Sequence, residues 1–365
     1  MMSKWRVMHF VTGGFSGATQ VAVDLVRAAQ RDDSPVEAQL VLRRKRQTPD
    51  DRVDALRHEG LQVDVVPGWS HLATMASLVQ LCRRHRPDVL VAHGFSEHLW
   101  GRYAGLWAGV PHLVHVEHNS KERYTRWRLA QSRWLAQRTA AIVGCSEGVK
   151  ASLLALGFPP HKVCAISNGI ILHPYAAAAD RPYRDRTPDL VMTARFARQK
   201  DHTTLLRAVA LLRDRGLRPE VWLAGGGRAR YQRRAQQLCD ELGLNEQVHF
   251  LGSHRDVPNL LMSQQIFVLS SHYEGMPLSL VEAMAAGCAV VGSAVPGVQE
   301  VIEDGVNGRL FAHQDPADLA QVIQALLEHP EQAEKMAAQA RATAWEAYSQ
   351  DRMVSGYERL LLSLR

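Results

Sequence analysis

Short apolar runs alternating with helical patterns, in two successive series, constrain this chain more than any other feature. Residues 5–11, 37–42, 62–66, 88–92, 112–116, 140–145 and 162–166 form one series, and 190–193, 221–224, 248–251, 266–269, 289–292 and 309–311 a second. Runs that are short and apolar nearly throughout fit strands covered on both faces, and the helical stretches between them fit the crossovers that parallel strands require. The expected fold class is therefore α/β, with two doubly wound parallel sheets. A length of 365 residues also exceeds what one hydrophobic core ordinarily serves. The reading divides the chain into a first domain over 1–172, a linker over 173–189 rich in Ala, Pro and Arg, a second domain over 190–348, and a closing helical segment over 349–365. Ligands of such sheets bind beyond the carboxyl ends of the strands, so function is sought in the turns that follow each run.

The richest of these turns follows the 266–269 run: Ser271, His272, Tyr273, Glu274, Gly275, Met276, Pro277, Leu278, Ser279, Leu280, Val281, Glu282, then an Ala-rich stretch ending at Gly287. It reads as a strand, a turn and a helix start, with Pro277 in the first helical turn, where a missing N–H costs nothing. The amides of Leu278 and its neighbours then point into the space beyond the strand, a place suited to an anion. Glu274 before the turn and Glu282 inside the helix flank that place at different depths, and both can accept hydrogen bonds from hydroxyls. A sugar and a ribose joined by a diphosphate would present hydroxyls at both ends and negative charge between them.

Glu274, seven intervening residues and Glu282, in the setting Glu-Gly-Met-Pro-Leu-Ser-Leu-Val-Glu-Ala-Met-Ala-Ala-Gly, resemble the signature of the family 4 retaining glycosyltransferases of GT-B fold. The resemblance runs over nearly the whole chain and is densest between Arg195 and Gly308. It implies two Rossmann-like domains facing a cleft, with the last helix crossing back to the first domain. It also implies roles. Arg195 and Lys200 would hold the donor diphosphate, whose charge grows as the nucleotide leaves. Glu274 would orient the transferred sugar and Glu282 the ribose, with Gly275, Met276, Pro277 and Leu278 against the diphosphate. Ser16 and Gly17 occupy a turn near the donor phosphates, although Ser16 stands where the family has glycine. Gly225 and Gly227 would let backbone approach the nucleotide, and Ser253 and Arg255 lie in a loop near the base. His118 matches a histidine near the transferred sugar, and His93 one that faces the cleft. Glu274, His118, Arg195 and Lys200 form the expected catalytic set.

Charge is unevenly placed, with 22 Lys and Arg against 14 Asp and Glu over residues 1–170, and 21 against 23 beyond, for a net of +6. A basic first half suits an anionic membrane surface, a charged acceptor or nucleic acid, and no nucleic-acid motif supports the last. Residues 121–138 form a basic amphipathic stretch, with Lys121, Arg123, Arg126, Arg128, Arg133 and Arg138 among Tyr124, Trp127, Leu129, Trp134 and Leu135. Those arginines, and the cluster Arg43, Arg44, Lys45 and Arg46, could face lipid headgroups. Five cysteines without a Cys-x-x-Cys pair argue against disulfides and against a zinc site. No apolar run is long enough to span a membrane and the amino terminus runs straight into a strand, so a cytoplasmic enzyme, peripheral on the inner membrane face, is expected.

The expected activity is retaining transfer of a hexose-type sugar from a nucleotide diphosphate sugar, with UDP favoured, to a glycan or lipid-linked acceptor in lipopolysaccharide or surface polysaccharide synthesis. No cofactor is expected, and no Asp-x-Asp at a strand end is present to hold a metal against the diphosphate. Two alternatives stay open: a nucleotide-sugar epimerase of the same fold, and a binding protein that keeps the fold without turnover.

Overall fold

The computed structural model describes residues 4–46, 48–119 and 124–365. Lys121 and Arg123 of the basic stretch lie outside the described residues. The chain divides into two compact units, Met1–Gly169 with Gln350–Arg365, and Ile170–Ser349.

In the first unit the strands are β1 (Trp5–Thr12), β2 (Val36–Arg43), β3 (Val63–Val66), β4 (Val89–His93), β5 (His112–Glu117), β6 (Ala141–Gly144) and β7 (Val163–Ala165). Between them run α1 (Gly17–Ala28), α2 (Asp50–His58), α3 (His71–His85), α4 (Phe95–Ala108), α5 (Arg126–Ala136) and α6 (Glu147–Ala155). The second unit holds β8 (Thr187–Thr193), β9 (Val221–Ala224), β10 (Val248–Gly252), β11 (Gln264–Leu269), β12 (Ala289–Ser293) and β13 (Arg309–Phe311). Its helices are α7 (His202–Asp214), α8 (Ala229–Leu242), α9 (Val257–Ser263), α10 (Leu278–Ala285), α11 (Pro296–Gln299), α12 (Pro316–Glu328) and α13 (Pro330–Ala347). Every residue of β4 and of β12 is buried, which is why these runs do not alternate with polar residues.

The strand order is β3-β2-β1-β4-β5-β6-β7 in one sheet and β10-β9-β8-β11-β12-β13 in the other. The pairings are parallel, so each sheet is doubly wound as expected. In both, the order reverses beside the first strand, between β1 and β4 and between β8 and β11. Loops leaving two neighbouring strands in opposite directions open a crevice at that point.

The last helix, α14 (Gln350–Leu362), belongs to the first unit. Met353, Val354, Tyr357 and Leu361 recur on one helical face and join a core with Val7, Val21, Leu25, Val89 and Val114. The stretch over 173–189, read from its composition as a linker, is instead folded into the second unit. Tyr175, Ala178 and Tyr183 are buried there, and the Arg186 guanidinium donates to the carbonyls of Ala286 at 2.8 Å and Gly287 at 3.0 Å. Two buried tyrosines outweigh the Pro and Ala content that suggested a free connection.

Tyr357 is fully buried, and among the described residues its hydroxyl has no hydrogen-bond partner. Burying an unpaired hydroxyl is unfavourable by about 1–3 kcal/mol, whereas deleting the ring leaves a cavity worth about 3–5 kcal/mol. Tyr357→Phe is therefore expected to be at least as stable as the parent, and Tyr357→Ala to lose several kcal/mol, by urea unfolding followed by circular dichroism.

Candidate active site

At the reversal in the second unit, β8 and β11 lie side by side, and the loops over 194–201 and 270–277 that leave them meet. The His272 amide donates to Gln199 O at 2.8 Å, and Ser270 Oγ donates to Asp201 O at 2.9 Å. On this seam Lys200 Nζ lies 2.6 Å from Glu274 Oε1. Ser271 Oγ donates to the same oxygen at 2.6 Å, and Gln199 Nε2 reaches Glu274 Oε2 at 3.3 Å and Tyr273 O at 2.9 Å. Glu274 is only 5% exposed, and its carboxylate is met by a cation and by the neutral donors Ser271 and Gln199. Ser271 is itself braced where Ser293 Oγ donates to its carbonyl at 2.6 Å. Gln199 and Ser271 were not among the expected site residues. Their positions, one before Lys200 and three before Glu274, were the available signal.

The glycines after β9 pack closely on the neighbouring loop. Gly225 (φ +156°) and Gly227 (φ +149°) lie against the backbone of residues 194–196, where an added Cβ would come within 2.0 Å of Ala194 O and 2.5 Å of Phe196 O. The Phe196 amide donates to Gly226 O at 2.7 Å, and the Arg228 amide donates to Phe196 O at 3.2 Å. These glycines therefore fix the loop that carries Arg195. That arginine is exposed and, among the described residues, makes no side-chain hydrogen bond or ion pair. Ser253 and Arg255 are exposed after β10, with Ser253 Oγ beside Gly226.

Pro277 is the residue before α10, not its first helical residue, and its carbonyl accepts from the Leu280 amide at 3.0 Å. Leu278 and Ser279 thus begin the helix, and their amides have no preceding turn of helix to bond to. Gly275, Met276 and Pro277 are buried beneath that start. Gly297 presses on the same turn, since an added Cβ would lie 2.5 Å from both Glu274 O and Gly275 O. Glu282 is half-buried in α10, and loss of hydration pushes its carboxyl up to about 7.

In the first unit the turn after β1 leads to Ser16 and Gly17. The Ser16 amide donates to Thr19 Oγ1 at 3.1 Å, and that hydroxyl donates to Thr12 O at 2.9 Å, closing the entry to α1. His93 is fully buried, which corrects its placement facing a cleft. It lies in a row, with His9 Nδ1 3.0 Å from His93 Nε2, and His93 Nδ1 3.2 Å from His118 Nε2. Beside this row, ligand atoms of His98, His115 and Glu117 lie within 4.8 Å of one another. Both ring nitrogens of His98 are already engaged, by Arg102 at 2.8 Å and by Tyr124 Oη at 3.1 Å, so the group is a buried polar network built around Arg102. The Arg43–Arg46 cluster is also largely spoken for: Arg43 and Lys45 pair with Glu97, and Arg44 with Asp50.

A family model described as glycosyl transferases group 1 matches residues 177–343, and one described as glycosyltransferase family 4 matches residues 15–173. The chain belongs to the family 4 type of glycosyltransferases. A lipopolysaccharide core biosynthesis glycosyltransferase of Rhizobium meliloti, LpsE, is 26% identical over 98% of this chain and 99% of its own. An Escherichia coli UDP-Gal:alpha-D-GlcNAc-diphosphoundecaprenol alpha-1,3-galactosyltransferase is 25% identical over 67% of each. Among solved structures, Anabaena HepE in complex with UDP-glucose superimposes with a TM-score of 0.85 at 22% identity, covering 98% of this chain and 99% of that one. Both units of this glycosyltransferase thus have the Rossmann-like α/β form of the GT-B enzymes.

The raised Glu282 carboxyl gives a test of its environment. A carboxyl moved from 4.5 to about 7 on folding favours the protonated form in the folded chain, so stability falls as pH rises through that window. Glu282→Gln should be more stable than the parent at pH 8, by on the order of 3 kcal/mol in urea unfolding, and the gap should close toward pH 5. A gap that does not change with pH would show that Glu282 stays hydrated.

Proposed function

We propose that this glycosyltransferase moves a hexose-type sugar, with retention of configuration and without a metal ion, from a UDP-sugar to a hydroxyl of a glycan or lipid-linked acceptor. The observation that carries the reading is the contact of Lys200 with Glu274 where the β8 and β11 loops meet, with an uncommitted Arg195 on the same loop as Lys200. In this reading Arg195, Lys200 and the first amides of α10 take the diphosphate, Glu274 orients the sugar, Glu282 binds ribose hydroxyls, and His118 contacts the transferred sugar. Gly275, Met276 and Leu278 shape the turn around the phosphates. UDP is favoured because HepE is described in complex with UDP and UDP-glucose, and the E. coli relative is named for UDP-Gal. LpsE supports a place in lipopolysaccharide or surface polysaccharide synthesis.

Retention is assigned to attack on the face the nucleotide leaves. The bond from the anomeric carbon to the phosphate oxygen breaks, the acceptor oxygen bonds to that carbon from the same side, and the acceptor proton passes to the departing phosphate oxygen. The cations stabilise the charge that accumulates there. Thermal shift against UDP, GDP and ADP in the presence of EDTA tests the donor and the metal together. UDP is expected to give the largest shift, undiminished by EDTA. Arg195→Ala should weaken UDP by about 1.5–3 kcal/mol, roughly 10- to 150-fold, while leaving uridine unaffected. Lys200→Ala should do the same and also lower the melting temperature, because it leaves Glu274 buried without its cation. Unchanged UDP affinity in both variants contradicts the assignment.

A peripheral membrane location is part of the proposal. On α5, Arg126, Trp127, Arg128, Arg133 and Trp134 are all exposed, with Trp127 77% exposed, while Ser132, Leu135 and Ala136 pack inward. Exposed tryptophan among arginines suits the headgroup layer of an anionic bilayer. No helix among the described residues is long and apolar enough to cross a membrane. The enzyme should sediment with vesicles containing phosphatidylglycerol, be released by salt, and bind less after Trp127→Ser. Equal binding to neutral vesicles, or none to either, would count against it.

A further inference from the structure

We propose that His9 and His93 are positioning residues that hold His118 in a single tautomer, through a three-imidazole relay running from the core of the first sheet to its rim. The inference rests on the reading that His118 contacts the transferred sugar. His9 lies within β1, His93 ends β4 and His118 directly follows β5, three strands adjacent in the sheet. Register pairs His9 with Val91 and His93 with Val116, so each histidine lies two residues further along its strand than the last, and the alternation of side chains keeps all three on one face. Ring centroids are 5.3 and 5.4 Å apart, close to the strand spacing, so the sheet itself sets the row.

Each link has room for one proton. A neutral imidazole has one donor and one acceptor nitrogen, so His93, linked through both of its nitrogens, must donate on one side and accept on the other. If His9 Nδ1 donates to His93 Nε2, then His93 Nδ1 donates to His118 Nε2, and His118 holds its proton on Nδ1. If the direction reverses, all three rings hold it on Nε2. The three rings therefore share one tautomer, and changing His118 alone would set two N–H groups, or two lone pairs, against each other. Burial keeps the rings neutral, with His9 lowered to about 3, His118 to about 4 and His93 lowered well below its usual value. His118 Nδ1, buried and without a partner among the described residues, keeps its hydrogen-bonding capacity unspent at the end of the row. A histidine meeting a sugar from this row presents a fixed donor or a fixed acceptor, not a mixture.

Two-bond ¹⁵N–¹H spectra of the full-length enzyme labelled with [¹⁵N]histidine read the tautomers directly, the three rings being assigned by loss of signal in His9→Phe, His93→Phe and His118→Phe. The expected result in the unmutated enzyme is one unaveraged tautomer common to all three rings. Different tautomers in neighbouring rings, or averaged nitrogen shifts at His118, overturn the proposal, and that readout requires no variant to be active. In His93→Phe the His118 shifts should move to averaged values, and kcat should fall roughly tenfold with the donor KM within about twofold. An unaltered His118 spectrum in folded His93→Phe also overturns it. If the shared tautomer is found but His118→Ala turns over normally, the relay stands and the sugar-contact reading fails.

Discussion

Lys200 Nζ and Glu274 Oε1, 2.6 Å apart, join the two loops that the second sheet throws in opposite directions. Both groups are largely withdrawn from water, with side chains 13% and 7% exposed, and ions so placed are costly unless every remaining lone pair is met. Ser271 and Gln199 meet those of Glu274, and Ser293 and the His272 amide in turn hold Ser271 and Gln199 in place. The ion pair is thus the visible centre of a network that fixes the geometry of the crevice before any ligand arrives. Preorganisation of this kind lets fixed charges act on a transition state without reorganising at the moment of reaction.

Around that pair the backbone is shaped as much by what is missing as by what is present. Gly225, Gly227 and Gly297 each sit where a methyl group would collide with a carbonyl of the loops carrying Arg195 and Glu274. Close backbone contact holds those loops without using the site's own side chains. Arg195 is consequently left with its guanidinium in solvent, and the start of α10 with amides that no helical turn satisfies. Arg195 and the first amides of α10, whose capacity for an anion is unspent, are thus carried on a rigid frame.

The first unit repeats the strand order with different side chains at the reversal. At its reversal between β1 and β4 a row of histidines runs across the sheet, and beside it Arg102 is fully buried against His98, Ser132 and Thr139. One sheet order therefore supports two chemistries. At the second reversal a buried ion pair is compensated by neutral donors; in the histidine row of the first, burial disfavours the charged rings and the direction of the hydrogen bonds is left to specify.

Much of this was legible from residue order. The runs at 221–224 and 309–311 coincide with β9 and β13, and the others differ by a few residues at their ends, because strands buried on both faces leave an uninterrupted apolar signal. The family, and with it the glycosyltransferase activity, followed from Glu274, Glu282 and the residues between them. What the order of residues could not supply was which groups spend their hydrogen bonds on one another. Lys200 and Glu274 are 74 positions apart, and His9 and His93 are 84. Separations of that size become contacts only when parallel strands set them side by side. Tyr175 and Tyr183 were hidden in the same way, since composition reports the prolines and alanines around them but not the surface that buries them. Sequence determined the elements and the chemistry available at their ends. Tertiary packing alone decided which charge was held, which was left to solvent, and which histidines were kept neutral, because burial and pairing arise only where distant segments meet.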